Sequence, residues 1–367
     1  MRDVSAIHQF AVSCTVGDGI SNSMRFIQSL VRSHGLSSEL YAMDRPEVLK
    51  DEVQFYEALH PQSSELLLIH HGGGNPAEQM LKQLSCPKVI VYHNITPERF
   101  FAAGDPIRET LRYGREQLAG WVSHVDGAIA VSKQNYEELM AVGYSPAKTV
   151  TLPLLVDLAR FEHSDSAVDA RSSEAINLLF VGRLVPHKNH HALIAMLAEL
   201  EQMVTQPVYL TLVGDGDRSV RRGLERLAQQ YGVAGRVEIT GKVSDQELSQ
   251  IYSQADLYVS MSEHEGFGMP LVEAMAYGIP IVAYAPPDSS LVETVAAGGL
   301  LLHECNPAIV AATVASLLEA PSLRADIVDS QCERLAEFDP ARLYADFEAF
   351  LARLGLRFAP LHPAAAG

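Results

Sequence analysis

Apolar residues along this chain fall into two alternating rhythms. Uninterrupted runs of strand length recur between turn residues: IHQFAVSC, SELLLIHH, KVIVYHN, GAIAVS, NLLFVGR, VYLTLVGDGD, VEITG, DLYVSMS and IPIVAYA. Several lack polar alternation, which predicts strands covered on both faces, as in a parallel sheet. Between them SNSMRFIQSLVRSHG, SKQNYEELMAVG, HHALIAMLAELEQM and RRGLERLAQQYG place apolar residues three and four apart and read as amphipathic helices. Strand and helix in alternation imply βαβ units and doubly wound sheets. The rhythm breaks in TLPLLVDLARFEHSDSAVDARSSEAI, where a polar stretch precedes the fresh strand NLLFVGR. A domain boundary is therefore expected near Phe161, with one domain over residues 1–160 and a second over 161–339. The expected fold is α/β, two Rossmann-like doubly wound domains facing a central cleft. A last amphipathic helix is expected over residues 340–357, from PARLYADFEAFLARL.

Composition changes the picture only by exclusion. The 367 residues, 47% of them hydrophobic, suit two ordinary domains with ample cores. A formal net charge of -17 lacks the basic footprint of a nucleic-acid binder. Cys14, Cys86, Cys305 and Cys332 are far apart with no CxxC, the usage of a reduced cytoplasmic protein. The apolar stretch at the N-terminus is short for a signal peptide, and no run approaches a membrane span.

Two segments carry candidate chemistry. In LLFVGRLVPHKNHHALI a buried strand ends at Gly182, and Arg183 and Lys188 follow in the loop before a helix. Ligands of open α/β sheets sit beyond the carboxyl ends of strands, so two cations there could neutralise a diphosphate. A solvated loop with two surface cations explains the same residues. His187, His190 and His191 have no carboxylate or cysteine at ligand spacing and read as surface or capping residues rather than metal ligands. In HEGFGMPLVEAMAYG, two glycines precede a helix with Pro270 expected at its first position, Glu273 in its first turn and Gly278 closing it. The amides near Phe267, Gly268 and Met269 would face an anion. A capped helix whose glutamates complement its dipole accounts for one acid there, and less well for the pair Glu265 and Glu273.

The two glutamates stand eight apart, and with VGRLVPHKNHHALI upstream and ITGKVSDQELSQIYSQADLYVSMSEHEGFGMPLVEAMAYGIPIVA around them this half resembles the donor-binding domain of the retaining glycosyltransferases of family four. The likeness runs from about Asn177 to Tyr284. In the first half, TVGDGISNSMRFIQSLVRSHG resembles the family's glycine loop and first helix. SELLLIHHGGGNPAEQML, VIVYHNITPERFF and HVDGAIAVSKQNYEELMAVGY resemble a bacterial subgroup that builds surface polysaccharides. The resemblance fades beyond about Ser330. It implies the GT-B fold, with the last helix crossing back onto the first domain. Arg183 and Lys188 would hold the donor diphosphate, Glu265 the hydroxyls of the transferred sugar, and Glu273 the ribose. Amides of Phe267, Gly268 and Met269 would touch sugar and phosphate. Gly17, Asp18 and Gly19 would face the phosphates, and the segment from Gly241 to Val243 would lie at the base. His93 would sit near sugar and acceptor with Asn94 beside it, and His71 on the acceptor side. No protein nucleophile is implied; the leaving phosphate would take the acceptor's proton after front-face attack.

The resemblance further implies a nucleotide-sugar donor, GDP-mannose first among them, a glycan or lipid-linked oligosaccharide acceptor, and neither cofactor nor metal. A UDP-sugar transferase and a non-catalytic nucleotide-sugar-binding subunit remain the alternatives. An NAD-dependent oxidoreductase lacks the full glycine fingerprint. Asp215-Gly216-Asp217 is formally a DxD metal motif, but it follows VYLTLV and reads as a turn. HHGGGN, from His70 to Asn75, resembles the glycine run of an esterase oxyanion hole, yet no G-x-S-x-G is present. Arg99, Arg108, Arg112 and Arg115 near Phe100 and Phe101 allow a peripheral contact with a membrane or lipid carrier, or a solvated surface, because acids are interspersed.

Overall fold

A computed structural model of the chain describes residues 1–157 and 175–358. The boundary expected near Phe161 lies outside the described residues. The chain divides into two compact units: residues 1–157 with 338–358, and residues 175–337.

The first unit opens with β1 (Arg2–Val4), β2 (Ala6–Ser13), β3 (Leu40–Asp44), β4 (Val53–Phe55), β5 (Glu65–His71), β6 (Lys88–Tyr92), β7 (Gly127–Ala130) and β8 (Thr149–Thr151). Seven of these form a parallel sheet in the order β4-β3-β2-β5-β6-β7-β8. All residues of β6 and β7 are buried, as the unbroken apolar runs require. The crossovers carry α1 (Gly19–Ser33), α2 (Glu78–Gln83), α3 (Ile107–Gly120) and α4 (Lys133–Ala141). Phe10, Tyr92 and Trp121 lie fully buried in the core.

The second unit repeats the plan with β9 (Ile176–Val181), β10 (Val208–Val213), β11 (Val237–Gly241), β12 (Leu257–Ser260), β13 (Ile281–Tyr284) and β14 (Gly299–Leu302). Its parallel sheet runs β11-β10-β9-β12-β13-β14. The helices are α5 (His190–Leu200), α6 (Arg218–Gln230), α7 (Asp245–Gln254), α8 (Met269–Ala276), α9 (Ser290–Val295), α10 (Pro307–Leu318) and α11 (Pro321–Leu335). The start of α7 shows why local sequence suffices there. Ser244 Oγ accepts from the Glu247 amide, and the Glu247 carboxylate accepts from the Ser244 amide, a reciprocal capping box.

The chain then returns to the first unit through α12 (Pro340–Arg353) and β15 (Leu356–Phe358), which pairs in parallel with β1. The helix therefore stops at Arg353, short of the expected 357, because strand pairing takes over the last turn. A side chain at Gly127 would stand 2.6 Å from Leu354 Cδ1 and 2.9 Å from Phe350 Cζ, so only glycine admits this close seat on β7.

In both sheets the strand order reverses once, between β2 and β5 and between β9 and β12. Loops leaving adjacent strands diverge there, which opens a crevice at the carboxyl ends. The segments after β2, β9 and β12, beside these reversals, carry Gly17 to Gly19, Arg183 with Lys188, and Glu265 to Glu273, whereas His93 and Asn94 follow β6 and Val243 follows β11.

Candidate functional site

At the reversal of the second sheet the loops after β9 and β12 are tied together. Tyr258 of β12 accepts from the Val181 amide and donates to the Val181 carbonyl, both at 3.2 Å. The Glu263 amide donates to the His187 carbonyl at 2.8 Å. Asn189, at a left-handed φ of 55°, reaches Glu263 Oε1 at 3.4 Å and Cys305 Sγ at 3.1 Å. On this frame Lys188 Nζ meets Glu265 Oε1 at 2.5 Å, with the two side chains only 17% and 11% exposed. Arg183 lies exposed on the same loop. The structure thus joins two of the expected residues, a cation and a carboxylate, in a largely desolvated ion pair.

The histidines differ from expectation. His187 and His190 are buried, not on the surface; only His191 is exposed. Burial pushes the pKa of His187 down to about 3 and that of His190 down to about 4. His190 packs edge-on against Phe180 and hydrogen-bonds the Gly182 backbone, so it shapes the loop from beneath. Among the described residues no three His, Cys, Asp or Glu side chains stand close enough to hold a metal ion. Asp217 caps α6, accepting from the Ser219 amide at 2.8 Å, and Asp215 accepts from the Gly216 amide at 2.8 Å, so the DxD is a turn.

The helix start after β12 departs from the expected positions by one residue. Gly268 is the N-cap at φ 90°, Met269 is the first helical residue, and Pro270 the second. Glu273 consequently lies in the second turn, beyond the first-turn amides. The closing end forms a Schellman motif: Gly278, at φ 59°, donates to the Met275 carbonyl and Ile279 to that of Ala274. A side chain at Gly268 would stand 2.6 Å from Leu291, so packing as well as φ demands glycine. Phe267 and Met269 have buried side chains, leaving their backbone as the group they can offer. Ser290 Oγ donates to the Glu265 carbonyl at 2.8 Å and Thr294 Oγ1 to that of Phe267 at 2.6 Å, which moors the loop to α9. Glu273 is 5% exposed, and the fully buried Tyr252 donates to it at 2.8 Å. Tyr252 stacks on Tyr277 with ring centroids 5.1 Å apart. Tyr252, Ser290 and Thr294 were invisible in the sequence, because tyrosines and hydroxyls in helices carry no spacing signal of their own. Val243 lies just past β11, at the sheet edge, with β10 between that strand and β9.

In the first unit, Gly17 adopts φ 79° and Gly19 begins α1. Asp18 is the N-cap, accepting from the Ser21 amide and hydroxyl, both at 3.1 Å. The Asp18 carboxylate therefore serves one of the first amides of α1, that of Ser21. His70 and His71 project to opposite faces of the sheet. His71 donates through Nε2 to the Gly114 carbonyl of α3 at 2.8 Å. There a side chain at Gly114 would stand 2.5 Å from the Gly73 carbonyl carbon, so the glycine run HHGGGN permits close helix packing. His70 Nδ1 meets His93 Nε2 at 2.7 Å, and His70 Nε2 meets Gln9 Oε1 at 3.0 Å. Asn94, at φ 68°, donates to Asn135 Oδ1 at 2.8 Å. His70 and Gln9 were missed; strand parity pairs residue 70, not 71, with His93.

The arginine segment is largely self-neutralised. Arg108 and Arg112 both pair with Glu98, at 3.5 and 3.4 Å, and Arg115 pairs with Glu138 and donates to the Ile95 carbonyl. Arg99 lies over the Phe100 ring. No single helix among the described residues is long and apolar enough to cross a membrane.

Comparison with known proteins places the fold. Residues 163–333 match the family model described as "Glycosyl transferases group 1". The chain is 34% identical over 252 residues to a D-inositol 3-phosphate glycosyltransferase 2 of Catenulispora acidiphila, a match covering 65% of this chain and 58% of that protein. The chain thus spans little more than half the length of the curated relatives it matches. Among solved structures, a sucrose-phosphate synthase of Thermosynechococcus elongatus superposes with a TM-score of 0.76 at 19% identity, covering 96% of this chain and 99% of that one. HepE of Anabaena, solved with UDP and glucose, gives a TM-score of 0.73 at 18% identity, covering 95% and 99%. The fold is that of the GT-B glycosyltransferases, built from two parallel Rossmann-like units.

Proposed function

We propose that this protein is a retaining glycosyltransferase, moving a hexose from a nucleoside-diphosphate sugar to a hydroxyl of a glycan or glycolipid acceptor in polysaccharide assembly. The observation that carries this reading is the desolvated Lys188–Glu265 pair at the strand-order reversal, with Glu273 held by Tyr252 eight residues on. A nucleotide-sugar has an anionic centre and hydroxyl-rich ends. Lys188 and Arg183 would neutralise the diphosphate, and the backbone from Phe267 to Met269 would donate to it. Glu265, released from Lys188 as the phosphate arrives, would accept from hydroxyls of the transferred sugar. Glu273 would accept from the ribose hydroxyls, and Gly241 to Val243 would border the base. From the first unit, His93 and Asn94 would meet sugar and acceptor, and His71 would lie on the acceptor side. Charge stabilisation at the leaving phosphate and alignment of the acceptor hydroxyl supply the catalysis, without a cofactor or metal.

GDP-mannose is the first donor to test. UDP-sugars form the second reading, favoured by the UDP and glucose bound to HepE. Inositol phosphate joins glycans and lipid-linked oligosaccharides in the acceptor panel because of the relatives' names. Incubating the protein with GDP- and UDP-sugars and this panel should release one nucleoside diphosphate in an acceptor-dependent manner. Release from no donor with any acceptor would leave a binding subunit instead.

Glu273→Gln offers a sharper check. It keeps the shape and the Tyr252 contact but loses the charge that two vicinal hydroxyls would share. Ribose is bound alike in ground and transition states, so KM for the donor should rise about 10–100-fold while kcat stays within about threefold. A kcat loss with unchanged KM would move Glu273 to the reacting centre.

A further inference from the structure

Four buried groups of the first unit form a hydrogen-bonded chain whose direction can be read from one end. The Met24 carbonyl can only accept, and Gln9 Nε2 donates to it at 2.9 Å. That orients the Gln9 amide, so its Oε1 must accept the bond from His70 Nε2 at 3.0 Å. His70 therefore carries its proton on Nε2 and presents a bare Nδ1. The 2.7 Å bond to His93 Nε2 then requires the proton to sit on His93. Gln9 is fully buried, His70 3% exposed and His93 8% exposed, so water does not compete along the chain. The ring planes of His70 and His93 lie at 21° with centroids 5.0 Å apart. The chain ends at His93 Nδ1, a buried nitrogen with no hydrogen-bond partner among the described residues; Asn94 Oδ1, on the next residue, also lacks one.

We infer that Gln9 and His70 are positioning residues that hold His93 in its neutral Nε2–H tautomer, so that His93 offers Nδ1 as an acceptor-only nitrogen. Such an atom recognises a hydroxyl or another N–H or O–H donor. It repels a phosphate oxygen, which is itself an acceptor. Protonation of His93 would change that, and burial beside His70 and His71 opposes it. Asn94 Oδ1 has the same polarity, since its amide nitrogen is committed to Asn135. Two consecutive residues thus leave acceptors unmatched, each a cost that a ligand hydroxyl would remove. This rests on the proposed transferase reading only in taking the ligand to be a sugar or acceptor polyol; the tautomer itself does not depend on it. The polarity makes His93 a reader of hydroxyls rather than of phosphate.

The test is histidine ¹⁵N NMR on the full-length protein, with resonances assigned by single substitutions. At neutral pH, His93 and His70 should each show a protonated Nε2 and a bare Nδ1. A protonated Nδ1 on His93, or a doubly protonated ring, would overturn the inference. His70→Phe removes the acceptor and keeps a planar ring; a population of His93 with Nδ1–H should appear, and transfer should slow roughly tenfold at unchanged donor KM. His70→Gln can accept from His93 and donate to Gln9, so it should restore both the tautomer and the rate. A His93 tautomer unchanged by His70→Phe would also refute the assignment. If the tautomers are as stated but no donor is turned over, the relay stands and the transferase reading falls.

Discussion

Lys188→Met should lower kcat for transfer by about 10²–10³-fold. As the glycosidic bond breaks, negative charge grows on the departing phosphate, and a fixed cation in a poorly solvated site stabilises that charge without reorganisation. Lys188 is suited to this because its side chain is largely buried and, before the donor arrives, is held in place by Glu265. Methionine keeps the length and apolar stem and removes only the charge. The same change strands the Glu265 carboxylate, so the variant should lose about 1–3 kcal/mol of stability. Adding Glu265→Gln should return that stability but none of the activity. Nucleoside-diphosphate release gives the first quantity and urea unfolding the second. A folded Lys188→Met protein with kcat within threefold of the parent would remove Lys188 from the reaction.

The second large effect is on stability in acid. Burial holds His70 and His187 down to about 3 and His190 down to about 4, against an ordinary value near 6.5. Below pH 6.5 the unfolded chain takes up a proton on each that the folded chain refuses, so stability falls as pH falls. At pH 5 the loss relative to pH 8 is about 2 kcal/mol for each of the three, which is about 2 kcal/mol in the first unit and about 4 kcal/mol in the second. His93 and His71, also pushed downward by burial, add to it in the first unit. A domain has only about 5–15 kcal/mol to lose. The urea midpoint should therefore drop steeply between pH 7.5 and pH 5. His190→Asn keeps a donor for the Gly182 carbonyl but cannot titrate, and should shrink the drop by about 2 kcal/mol. Equal midpoints at both pH values would contradict the burial of these rings.

Much of the fold was legible because both sheets are covered on two faces. All nine apolar runs became strands, and the alternation with helices gave two doubly wound units. The strands that escaped notice, among them LYAMD, VQF, TVT and GLLL, are short and lie toward the sheet edges, where pairing rather than pattern decides. In the site, Lys188 and Glu265 could be named from their places after strands, but not their contact. The family resemblance implied a sugar-binding role for Glu265 and a ribose-binding role for Glu273. Geometry adds that one of them is already occupied by a cation. His93 could be singled out, whereas His70 could not, because adjacent histidines are distinguishable only once the strand's two faces are known. The histidines after β9 looked solvated because their loop is polar, yet Asn189 and Glu263 draw it over the rings.

The return of α12 and β15 to the first unit sets an order of events during synthesis. The first sheet leaves the ribosome early, but β1 has no strand partner, and Gly127 no helix to cover it, until the whole second unit has been made. At ~5–20 residues per second that interval lasts roughly 10–40 s. Throughout it the finished seven-stranded sheet must tolerate a face around Gly127 that its covering helix has not yet reached.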